Sequence, residues 1–524
     1  MMKADDLAKE ARQRLKDARD KKSEIERDLR EAYFFTDPQR NRDLTTTGTA
    51  AKKLPKDDSL LQISLGIECA QDFATELAST FTPETVDWIK LKPGVEVPPD
   101  DYSEVEDALE EANDLILRAM KESNFYAAQS QVYMPDAALG TMAIIIYPGE
   151  VAGTPVDCRA VPLSELEINI GPDGDIDDRF IVRNTKHRYL SALLPSVDLP
   201  SELKKGMKDN PDKAIQVIWG WWRDWEVKGD IAWKHVILAG GKVVYFENLK
   251  GEGSCPLLIF RFNTKPDFPY GFGPALQSLP ELRAHDEIEA LTVENADFQI
   301  HPPFMYQDDG VTNFDNGIIP GYGYPARPWG NGKPVEPLVF SGNVQFAEFE
   351  KLSREHRIRR MFFVDQPEQD GKTPPTATQW ADERARAKRR IGTPGKVFFK
   401  EGPMEIFLRF KFILSAQGII PPITVKGREV SVIPYDPTEQ AQDYQDAQTA
   451  IQFVGVVQQT FPELSQVLLK PLETINNIKK AMGEKLVEVN TKEEMESAMQ
   501  QMQMMQQQMQ QPQEVATNPE EGMM

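Results

Sequence analysis

Cysteine, histidine and long apolar runs are all scarce in this 524-residue chain. Its three cysteines, Cys69, Cys158 and Cys255, lie far apart with no CxxC. That excludes a disulfide framework or a zinc ribbon and fits a reducing cytosol. The five histidines (His187, His235, His285, His301, His356) form no HExxH or HxH. No GxSxG elbow and no GxxxxGK[ST] phosphate loop is present. Gly271-Phe-Gly273 and Gly321-Tyr-Gly323 lack the third glycine of a dinucleotide fingerprint. The expectation is a non-enzyme with no catalytic, cofactor-binding or metal site. Apolar runs such as Met142–Tyr147 and Phe407–Leu414 are too short or too charged to cross a bilayer. The start, MMKADDLAKEARQRL, has no apolar signal region, so a soluble protein without a membrane partner is expected.

Net positive charge is missing too. The formal charge is −22, which argues against tight general binding of nucleic acid, since such affinity comes from neutralised phosphates. The charge is unevenly spread. Lys351, Arg354, Arg357, Arg359 and Arg360 cluster, as do Arg384, Arg386, Lys388, Arg389 and Arg390. Residues 281–297 instead hold Glu281, Asp286, Glu287, Glu289, Glu294 and Asp297 against one arginine. Acidic and basic helices of this kind suit either solvated faces with ion pairs or a wall that passes a polyanion without holding it.

Periodicity predicts helices over 3–35, 59–80, 103–122 and 125–138, then a strand at 142–147. The first helix carries only a thin apolar stripe, so it is placed on the surface or against another subunit. Residues 150–265 read as mostly β, with Gly240-Gly241 marking a hairpin. Trp219, Trp221, Trp222 and Trp225 fall on or beside one of these strands and are read as packing residues rather than a stacking platform. The acidic turn Asp173–Asp178 lacks the glycine and glutamate of a calcium loop, so it is read as a plain turn. Residues 299–341 are dense in Gly, Pro and aromatics and read as a small separate module. Helix is predicted at 343–363, and again from 377 with a break or kink at Pro394-Gly395. The segment after 436 is also helical and ends in a Gln/Met tract.

Several blocks, in this order, resemble the portal (head-to-tail connector) family of short-tailed, T7-like bacteriophages. They are LASTFTPETVDWIKL (77–91), ESNFYAAQSQVYMPDAALGTMAIII (122–146), CPLLIFRFNTKPDFPYGFGPALQSLPEL (255–282), MFFVDQPEQDGKTPPTATQWADERARAKRRIGTP (361–394) and GEKLVEVNTKEEMESAMQQMQMMQQQ (483–508). One departure stands in the Gly-Pro elbow, where Phe272 replaces the arginine expected of the family.

The resemblance implies an α+β, mainly α, portal fold with wing, helical stem, small α/β clip and C-terminal helical crown, assembled as a ring typically of twelve. On this chain it implies N-terminal helices and a β-rich wing over 1–278, stem helices at 279–298 and 343–364, and a clip at 299–342. A channel loop would follow at 365–376, a long kinked helix and wing closure at 377–435, a crown at 436–510 and a disordered tail at 511–524. DNA-channel candidates are Lys351, Arg354, Arg357, Gln366, Gln369 and Lys372. Inter-subunit candidates are Glu281, Asp286, Glu287, Glu289, Arg359 and Arg360, with pairing between subunits favoured over phosphate contact. Clip docking candidates are Tyr322, Tyr324, Arg327 and Trp329. The implied partners are further copies of the chain, double-stranded DNA passing without sequence specificity, the terminase large subunit, major capsid and scaffolding proteins, and a tail adaptor. The implied location is the capsid portal vertex, with host cytoplasm during assembly. Another virion adaptor, or a carbohydrate-active enzyme, are the alternatives.

Overall fold

The N-terminal helix α1 (Ala4–Thr36) lies across a sheet of its own chain. The structure, a computed structural model, describes residues 4–40, 61–85, 87–93, 102–150, 153–195, 197–307, 318–326, 335–338, 344–364, 390–392, 394–421, 424–425, 428–429, 432–435, 437–460, 474–475 and 478. The chain divides into two compact units, 1–435 and 436–524.

In the first unit, α2 (Leu65–Phe81), β1 (Lys90–Pro93), α3 (Tyr102–Glu122) and α4 (Phe125–Asp136) precede β2 (Thr141–Pro148) and β3 (Val156–Ala160). The meander β4 (Leu166–Ile170), β5 (Ile176–Lys186), β6 (Ala214–Arg223), β7 (Ala232–Ala239) and β8 (Lys242–Lys250) follows. Between β5 and β6 lie the helical turn α5 (Leu190–Leu193) and α6 (Ser201–Asp209). Next come β9 (Leu257–Arg261), α7 (Pro274–Ile300), the short strands β10 (Phe304–Gln307), β11 (Gly323–Ala326) and β12 (Val335–Pro337), and α8 (Val344–Met361). The unit closes with α9 (Glu405–Ala416), β13 (Thr424–Val425), β14 (Arg428–Glu429) and β15 (Val432–Tyr435), the last pairing antiparallel with β1. The described part of the second unit is chiefly α10 (Pro437–Thr460). The mixed α/β architecture agrees with the expected class.

The five-stranded antiparallel sheet runs β4-β5-β6-β7-β8. Gly240 and Gly241 turn β7 into β8 with φ of +57° and +83°, as a two-residue hairpin with both central residues left-handed requires. Ala8, Ala11, Leu15 and Ala18 of α1 bury against Phe180, Val182, Ile218, Trp222, Val236 and Leu238. The expected surface or neighbour role for that apolar stripe is thus corrected. Its alanines are small enough to bring the helix down onto the sheet, and Arg14 seals the contact through Asp178 at 2.8 Å. Trp219, Trp221 and Trp222 are buried in packing on the two faces. Trp225, half-exposed, donates its indole N–H to Asp177 at 2.9 Å.

The smaller sheet, β3-β2-β9, forms the centre of the main core with α2, α4 and α9. Residues 394–399 are helical, so Pro394-Gly395 stand within helix, while residues 377–389 and 393 lie outside the described residues. Gly395 is accommodated because the Phe81 ring occupies the place of a side chain, 2.6 Å from where a Cβ would stand. A distortion lies further on, at Lys400–Met404, a single π turn containing Pro403. A proline there has no N–H to bond one turn back, so the ladder widens.

Candidate functional site

The antiparallel hairpin of α7 and α8 is built on a backbone knot. Gly271 N–H donates to Thr141 Oγ1 at 2.9 Å, Gly273 N–H to the Leu139 carbonyl at 3.0 Å, and Phe262 N–H to the Gly140 carbonyl at 2.9 Å. A Cβ on Gly271 would collide with the Gly140 carbonyl oxygen, and one on Gly273 with the Ala138 carbonyl oxygen. These glycines therefore serve close approach of backbone to backbone. Phe272 packs beside them with the Lys265 ammonium 3.8 Å from its ring centre, so a cation accompanies the position where an arginine was expected.

Pro274 occupies the first turn of α7, where its missing N–H costs nothing. The helix therefore starts earlier than the expected 279. Its first half is clamped. Leu282 packs on Gly66 of α2, Arg283 pairs with Glu31 of α1, and Gln62 N–H donates to Asp286 at 2.8 Å. Its second half is bare: the buried residues of α7 end at His285, and none of residues 286–300 is buried. At 27 residues the helix is about 40 Å long.

The charged residues of the two helices meet within one chain. Arg354 and Arg357 reach Glu281 at 2.8 and 3.3 Å, and Lys351 reaches Glu289 at 2.6 Å. Pairing expected between subunits is thus made inside the hairpin, because antiparallel packing sets residue 281 beside 354 and 357, and 289 beside 351. The same contacts engage three of the DNA-channel candidates. Buried His285 sits between the helices, its Nε2 3.9 Å from Glu355. Burial pushes its pKa down, and Glu355 opposes this.

Of the other inter-subunit candidates, Arg359 pairs with Glu68 of α2 at 3.7 Å. Arg360 is exposed, and its carbonyl accepts from Arg390 at 3.3 Å. Glu287 is exposed, as are Glu294 and Glu348, and none of the three holds an ion pair among the described residues. Apolar side chains on the hairpin are also exposed: Leu291, Val293 and Ile300 on α7, Phe349 and Leu352 on α8. The sequence offered a signal for these last two, apolar residues three apart in a charged helix, and the charge pattern hid it.

Beyond α7, β10 pairs in parallel with β11 and antiparallel with β12. Tyr322 is exposed and packs edge-on against buried Tyr324, ring centres 5.3 Å apart. Gln366, Gln369, Lys372, Arg327 and Trp329 lie outside the described residues. Among the described residues no helix is long and apolar enough to cross a membrane.

The sequence model of a family described as "Bacteriophage head to tail connecting protein" matches residues 8–486. Among solved structures, a chain from "Virion of native gene transfer agent (GTA) particle" aligns with a TM-score of 0.34 and 12% identity, over 71% of this chain and 79% of that one. A chain from "Neck of empty GTA particle computed with C6 symmetry" aligns with a TM-score of 0.34 and 13% identity, over 74% and 86%. Superpositions at that level carry no weight for the fold. No curated protein matches.

Proposed function

The chain belongs to the bacteriophage head to tail connecting protein family, and on that premise we propose that it forms the portal ring through which double-stranded DNA enters and leaves the capsid. A member of this family is a structural component of the virion and not an enzyme. The observation that carries the ring is the bare half of α7. A helix of that length with nothing buried after His285 needs neighbours to hold its apolar residues. Leu291 and Val293, both exposed, are two residues apart and so point about 200° apart around the helix. Two sides therefore seek cover, as in a head-to-tail contact that closes into a ring.

Within the ring, α7 and α8 serve as the stem (279–298 and 343–364), 299–342 as the clip, 365–376 as the channel loop and 436–510 as the crown. Neutralisation of Lys351, Arg354 and Arg357 by Glu281, Glu289 and Glu350, with Glu287, Glu294 and Glu348 left over, gives a wall with little grip on phosphate. Such a wall lets a duplex move. The ring takes twelve copies and docks the terminase large subunit at the clip, then a tail adaptor in its place. It meets capsid and scaffolding proteins in the host cytoplasm, where assembly starts from it. The test is genetic. Particles assembled without this chain should be DNA-free and neckless, whereas filled heads would rule the reading out.

A further inference from the structure

Three of the four outer edges of the two larger sheets are closed by the chain itself. At β3, Asn124 accepts from Cys158 N–H and donates to the Cys158 carbonyl, both at 2.8 Å. At β4, the buried Lys22 ammonium of α1 donates to the Leu166 carbonyl at 2.8 Å and the Leu163 carbonyl at 2.9 Å. At β9, Glu401 accepts from Arg261 N–H at 3.1 Å, and Arg179 donates to the Leu257 carbonyl at 2.7 Å. Capping of this kind is how proteins blunt strand edges that would otherwise pair with another chain.

β8 is the exception. It pairs with β7 on one side, and among the described residues nothing bonds to its other side. The strand has nine residues, an edge about 30 Å long, and none of them is fully buried. Phe246 pairs with Val236 on the face that carries α1 and is 42% exposed. Cations flank the edge. Arg12 donates to the Gly241 carbonyl at the turn, Lys242 follows with its ammonium on exposed Glu202 at 2.6 Å, and exposed Lys250 ends the strand. The one carboxylate on the strand, Glu247, accepts from Tyr245 Oη at 2.6 Å.

We infer that β8 is an acceptor edge for a sixth strand supplied by a different polypeptide, an extended segment alternating apolar and acidic residues. Backbone groups of the edge give the affinity, Phe246 and Val243 take the apolar side chains, and Arg12, Lys242 and Lys250 select the acidic ones. A second copy of this chain is a poor occupant. β8 on β8 is a two-fold contact that closes a dimer, and the other described strands with a free edge have four residues or fewer. The inference stands independently of the ring.

Hydrogen exchange on the full-length protein tests it, with two nine-residue probe peptides, one alternating glutamate and valine and the other lysine and valine. The glutamate peptide should slow exchange at outward amides within Lys242–Lys250 by about tenfold or more, and the lysine peptide should not. Phe246→Ser should abolish the protection with the melting temperature unchanged. Lys250→Glu together with Arg12→Glu should shift the preference toward the lysine peptide. No protection at millimolar peptide, or equal protection by both, overturns the inference. So does an edge already protected in the purified oligomer relative to the monomer, which would make the occupant a second copy.

Discussion

Replacing Phe349 and Leu352 with serine should leave the chain folded and stop it from assembling. Phe349 is 68% exposed and Leu352 56%, so most of each side chain is still available to a neighbour. Full burial of such a side chain contributes about 1.5–3 kcal/mol. The exposed fractions therefore correspond to about 1–2 kcal/mol each, or about 2–4 kcal/mol per subunit contact for the pair. That lowers the association constant of every contact by roughly 30- to 900-fold, and a closed ring repeats the loss at each interface. The lone chain loses only the buried remainder, about 1–2 kcal/mol for the two together. Mass measurement across a dilution series reads the ring fraction, and thermal unfolding of the dilute chain reads its stability. Rings forming at an unchanged concentration would refute the reasoning. So would a variant that unfolds as a monomer, since the side chains would then be holding the subunit itself.

Glu281→Gln removes the carboxylate shared by half-buried Arg354, which keeps Glu350 at 3.8 Å, and exposed Arg357. It should cost about 1–2 kcal/mol and speed hydrogen exchange in α8. Lys22→Met leaves Glu167 buried without its partner and the Leu163 and Leu166 carbonyls without their donor, and should destabilise the first unit by about 3–5 kcal/mol in urea unfolding, only part of it recovered by adding Glu167→Leu. His235 lies stacked on Trp221 at 4.7 Å, and burial pushes its pKa down to about 3. Only the unfolded chain takes up a proton there, so stability falls as pH drops from about 6.5 toward 3, by about 1.4 kcal/mol per unit. His235→Phe should flatten that limb of the pH–stability curve, and an unchanged slope would place the titrating group elsewhere.

Much of the secondary structure was legible because its signals are local. The Gly240-Gly241 hairpin, the period of α3 and strands β5 to β8 follow from neighbours in sequence, whereas β4 was not foreseen. Helix ends around proline were less so. Pro394-Gly395 suggested a break or kink, but nothing local pointed to the π turn at Pro403. Which proline yields depends on packing, here of Phe81 on Gly395 and Phe260 on Gly402. In the candidate site, the charges of both hairpin helices were visible from composition. Their partners were not, because the register of two helices separated by the 301–343 segment is set by the anchorage of α7 on α1 and α2. The knot of Gly140, Gly271 and Gly273 was half-visible: the elbow was read, but its mate 130 residues earlier leaves no local trace. α1 misled for a related reason, since a stripe of alanines is weak as hydrophobicity but strong as close fit.

Imaging the purified full-length protein by electron microscopy tests the central claim most directly. The account predicts a closed ring with an axial hole wide enough for duplex DNA, with α7 and α8 of each subunit side by side around it. A compact monomer, or a two-fold dimer without an axial opening, would contradict it.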